Sequence, residues 1–222
     1  MNRVEFSKPP SLQEIGDLSD RSPETLVTIW TWQQAGAIEQ LNTHGVLRVE
    51  ENHAFPPACS RGKRLAYDWM RGQMNQRIPE YDDEWPIWAF LVPPDRKKKG
   101  SAPGDKLICA RIPKKRLLIS FCDPWEHILH CMALIEHHGS WPSCWPVMPY
   151  LAIDKAGKDR LDTINHCISS IPEEECRKSW EKIFELSLAC TEGFSGGTTL
   201  QATLSAIYRE DVVHCADRPG KP

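Results

Sequence analysis

Thr198-Thr199-Leu200-Gln201-Ala202-Thr203-Leu204-Ser205-Ala206-Ile207-Tyr208 alternates in character from one residue to the next. Leu200, Ala202, Leu204 and Ala206 fall on one face, and Thr199, Gln201, Thr203 and Ser205 on the other. A period of two predicts a β-strand. Near the other end of the chain, Leu26-Val27-Thr28-Ile29-Trp30-Thr31-Trp32 is β-branched and aromatic and predicts another. Between them, Val46–Val49, Trp85–Val92, Leu107–Ile112 and Arg116–Cys122 read as further strands, the last two as an antiparallel pair turning at Pro113-Lys114-Lys115.

Helical periodicity is clearest from Ser60 to Ile78, where Leu65, Ala66, Trp69, Met70, Met74 and Ile78 repeat at three- and four-residue spacing. A short helix from Gln33 to Thr43 stops at Gly45, a residue suited to the left-handed cap. Asp123-Pro124-Trp125-Glu126 starts another, with Asp as cap, Pro at the first helical position and Glu at the positive end of the dipole. Pro172 with Glu173, Glu174 and Glu175 opens a fourth. Strands and helices mix without regular βαβ alternation, which predicts an α+β fold: one domain, a mostly antiparallel sheet and three to four packed helices. Residues 1–24 read as a polar leader, 25–215 as the domain and 216–222 as a tail.

The 222 residues are 41% hydrophobic and 26% charged, with formal net charge -3. That balance supplies no global basic field for nucleic acid, so such binding needs a local patch. No stretch approaches the apolar length that spans a bilayer, and the polar start lacks a signal-peptide core, so a cytoplasmic protein with no membrane partner is expected. Nine cysteines without a CxxC pair read as free thiols.

Seven segments, in order, carry a resemblance: Trp30-Thr31-Trp32-Gln33, Ala66-Tyr67-Asp68-Trp69-Met70, Gln73-Met74, Pro86-Ile87-Trp88-Ala89, Leu117-Leu118-Ile119-Ser120, Ser179–Phe184 and Leu200–Leu204. Together they resemble the bacterial domain-of-unknown-function family 3841 over roughly residues 26–213. The family pattern implies Trp-Glu where this chain has Ser205-Ala206. The element order also looks like the ADP-ribosyltransferase fold, in toxin or defence effectors that use NAD as a substrate. That likeness implies Thr31 and Gln33 as early polar residues holding the cofactor, with Tyr67 as a stacking ring and Arg77 lining the cleft. Gln201 and Thr203 would be the late-strand catalytic pair. A late-strand carboxylate that stabilises an oxocarbenium-like transition state is absent from Gln201-Ala202-Thr203, so Glu181 or Glu126 would have to supply it.

Other readings stay open. A strand of this pattern commonly has one solvated face. His127, His130, Cys131, His137, His138 and Cys144 are zinc-ligand types at no finger spacing, and no metal is expected. His130-Cys131, His166-Cys167 and His214-Cys215 are neighbours in sequence, which is not how a catalytic dyad is built. Arg96–Lys99 and Lys114–Arg116, with Trp85 and Trp88, would make a basic, ring-bearing patch if the two loops converged. The alternative to a transferase is therefore a non-catalytic module binding a nucleotide-like small molecule or nucleic acid, or a protein contact surface at Trp141–Pro146.

Overall fold

A computed structural model describes residues 22–54, 61–94, 105–129, 134, 173–186 and 200–217. Its strands are β1 (Leu26–Gln33), β2 (Val46–Leu47), β3 (Ile87–Phe90), β4 (Lys106–Pro113), β5 (Leu118–Phe121), β6 (Leu200–Leu204), β7 (Ile207–Tyr208) and β8 (Val212–Asp217). Its α-helices are α1 (Ala35–His44), α2 (Glu51–Ala54), α3 (Arg61–Arg77), α4 (Cys122–Ile128) and α5 (Glu173–Ser179). Six strands form one sheet in the order β5-β6-β3-β1-β4-β8, and β2 pairs with β7 in a smaller one. Every pairing is antiparallel. The fold is α+β, as the sequence pattern implies.

Two expectations change. The strands flanking Pro113-Lys114-Lys115 are not partners: β4 pairs with β1 and β8, whereas β5 pairs with β6. Lys114–Arg116 is a 3-10 turn that carries the chain from one side of the sheet to the other edge. Nor does β6 have the solvated face that its alternation commonly brings. It lies between β5 and β3, and all five of its residues are buried. Its polar side chains therefore face protein, and its alternation marks two buried faces of different polarity.

The helices form where local chemistry favours them. Gly45 closes α1 at φ 74°, with its N–H on the Leu41 carbonyl at 3.0 Å. Arg209 donates from Nε and Nη2 to the same carbonyl, at 3.0 and 2.8 Å, a cation at the negative end of the helix. Helix α3 buries Ala66, Met70 and Met74, with Ile78 buried just past its end, while Leu65 and Trp69 are half-buried. Trp69 meets Trp180 edge-on at 5.3 Å and stacks with Phe184 at 5.9 Å, which fixes α3 against the 3-10 segment Trp180–Phe184.

Between α3 and β3, Arg71 lies 4.1 Å from the Trp85 ring centre and donates to the Asp83 carbonyl at 2.7 Å. Asp83 takes φ 59°, a left-handed conformation in which that carbonyl and its carboxylate both meet Arg71. The Tyr81 hydroxyl donates to the Glu84 carbonyl, and burial pushes its pKa from 10.0 up to about 12. At the far end of the sheet, Arg116 grips Asp211 with two N–H groups at 3.0 and 2.9 Å. It also donates to the Ala206 carbonyl at 3.1 Å. Asp211 in turn accepts the Tyr208 N–H at 2.8 Å, so one pair joins the start of β5 to the β7–β8 turn.

Breaking that pair strands a carboxylate that is only 8% exposed. Arg116→Met should lower the unfolding free energy by about 3 kcal/mol, and adding Asp211→Leu should restore part of it, both read from denaturant midpoints. Tyr81 gives a second test. Its folded pKa lies above its unfolded value, so its stabilising contribution is complete below pH 10.0 and is lost as pH rises toward about 12. The Tyr81→Phe variant should not show that part of the alkaline decline.

Candidate functional site

Strands β1 and β3 pair at Trp30 and Phe90. Toward the C-terminal end of β1, side chains take over from the ladder. The Thr31 hydroxyl donates to the Trp88 carbonyl at 2.7 Å, and Gln33 Nε2 donates to Thr31 Oγ1 at 2.9 Å. Thr31 is 1% exposed, so its hydroxyl needs a partner inside the protein and finds it across this seam.

Residues paired across an antiparallel ladder project to the same face. Ser120, Gln201, Phe90, Trp30, Cys109 and His214 form one such row, running strand to strand across the sheet. The next row on that face holds Leu118, Thr203 and Trp88. Trp88 stacks on Trp125 of α4 at 4.4 Å and 30°. Tyr67 of α3 approaches both rings edge-on, at 5.9 and 5.8 Å. Gln201 Nε2 makes only long contacts, 3.4 Å to Ser120 Oγ and 3.5 Å to the Phe121 carbonyl. Thr203 donates to the Leu118 carbonyl at 3.3 Å and lies 4.0 Å from Met70 Sδ, so α3 covers it.

Three buried side-chain donors lack an acceptor among the described residues: Trp30 Nε1, Trp88 Nε1 and Arg71 Nε. Two of them are indole N–H groups on this one face. Trp30 packs with Leu107, Cys109 and Trp32, whereas Trp88 packs against the larger core that includes Trp125.

The expected site residues are only partly brought together. Trp88 is the common neighbour: Thr31 bonds its carbonyl, Gln33 bonds Thr31, Tyr67 touches its ring, and Thr203 is its cross-strand partner. Yet alternation along β1 turns Thr31 and Gln33 away from the face that carries Gln201 and Thr203. A single cleft lined by all of them is not formed. Arg77 lies about 15 Å along α3 from Tyr67, with Nε on Gln73 at 3.0 Å and its guanidinium over Phe184. Glu181 is exposed on the 3-10 segment after α5. The Glu126 side chain lies outside the described residues.

The family profile described as Domain of unknown function (DUF3841) matches residues 28–213. The chain belongs to that family. No curated protein and no solved structure matches the chain. The DUF3841 span opens inside β1 and closes inside β8, so the seam and all of the sheet except the start of β1 and most of β8 fall within it.

The remaining candidates fare differently. In this DUF3841 chain, Lys115 pairs with Glu24 at 3.0 Å and Arg116 with Asp211, so that half of the expected basic patch is engaged in holding the fold. Residues 95–100, which include the other half, lie outside the described residues, as do the side chains of the zinc candidates and the Trp141–Pro146 surface. No group of metal-ligating side chains gathers among the described residues. Register sets Cys109 opposite His214, a pairing invisible in sequence, but burial pushes the Cys109 thiol up and away from the reactive thiolate.

Sequence reasoning did not single out Trp30, Trp125 or Ser120, and it used Trp88 only as a stacking ring beside the basic loops. The available signal was the position of Trp30 and Trp88 at alternating sites of adjacent strands. If the Thr31 hydroxyl holds the seam, Thr31→Val should destabilise the protein by about 1 kcal/mol. It should also shift the Trp88 indole N–H resonance, whereas Thr203→Val should leave that resonance in place.

Proposed function

We propose that this protein is a non-catalytic binding module that takes a planar, nucleotide-like small molecule at the Trp88 face of its sheet. The observation that carries this reading is the buried indole N–H of Trp88, without an acceptor among the described residues, on a ring stacked against Trp125. A buried donor left unpaired costs about 1–3 kcal/mol. A ligand that supplies an acceptor recovers that cost. Flat rings offer such a ligand stacking surface, and Gln201 adds an amide.

The transferase reading has less behind it. It needs a carboxylate beside Gln201, and none of the described residues brings one there. It also needs Thr31 and Gln33 to face the same concavity as Gln201, and they project from the opposite side of β1.

The test is titration of the purified protein with NAD, ADP-ribose and the common nucleosides, followed by tryptophan fluorescence and thermal shift. A ligand at 100 times its Kd should add about 2.7 kcal/mol of stability. Trp88→Phe, which keeps an aromatic ring and loses the N–H, should weaken binding, and Lys115→Ala should not. Absence of any saturable response across the panel would overturn the reading. Transfer of label from NAD to a target in lysate would replace it with the enzymatic one.

A further inference from the structure

We draw no further inference here: the strongest candidate, the apolar sheet face of β1 and β4 where Trp30, Leu107 and Cys109 are buried with Trp32 packed against them, carries nothing because nothing in the structure shows what covers it.

Discussion

A polar side chain enclosed within a sheet must find its hydrogen-bond partner within hydrogen-bond reach or carry the full cost of desolvation. That constraint organises the centre of this protein. Thr31, Ser120, Gln201 and Thr203 are all nearly inaccessible. Thr31 and Thr203 resolve it by donating to backbone carbonyls of neighbouring strands, Trp88 and Leu118. Such bonds do two jobs, since each also holds a strand in register. Gln201 resolves it poorly, with two long contacts from one end of its amide. Trp30 and Trp88 do not resolve it at all. Two of the three unsatisfied donors among the described residues, Trp30 Nε1 and Trp88 Nε1, thus lie on one face of the sheet but in separate clusters of the core, and the third, Arg71 Nε, lies at the α3–β3 turn.

Most of the elements were readable from local pattern, because local pattern is what makes them. The α3 stripe, the Gly45 cap and the alternation in β6 each depend on residues a few positions apart. Register and strand order depend on contacts far apart in the chain, and there the reading fails in an instructive way. Leu107–Ile112 and Arg116–Cys122 look like a hairpin because Pro113-Lys114-Lys115 looks like a turn. It is a turn, but β4 already has β1 along its full length on one side and β8 on the other. Nothing local announces that both edges are taken. The polar face of β6 misleads for the same reason: alternation reports two faces of different polarity, and only the neighbours decide whether the polar one is wet.

The candidate site follows the same division. Thr31, Gln33 and Tyr67 were legible as residues with unusual chemistry for their positions, and all three do meet at Trp88, directly or through one bond. Their facing was not legible, because one residue of register turns a side chain from one side of the sheet to the other. Trp30 and Trp88 were hidden by their own abundance. In a chain with nine tryptophans, a ring in a strand reads as core, and a buried Nε1 without an acceptor separates these two from the other described tryptophans.

The distribution of charge then explains why a carboxylate would be out of place at the end of β6. Ala206, just past β6, is 3% exposed, and its carbonyl is already held by Arg116. The guanidinium there is committed through two bonds to Asp211. A second acid at that point would have to compete for one cation or remain buried and unpaired, which is costly. With alanine instead, the Arg116–Asp211 pair is free to act as a brace between β5 and the β7–β8 turn.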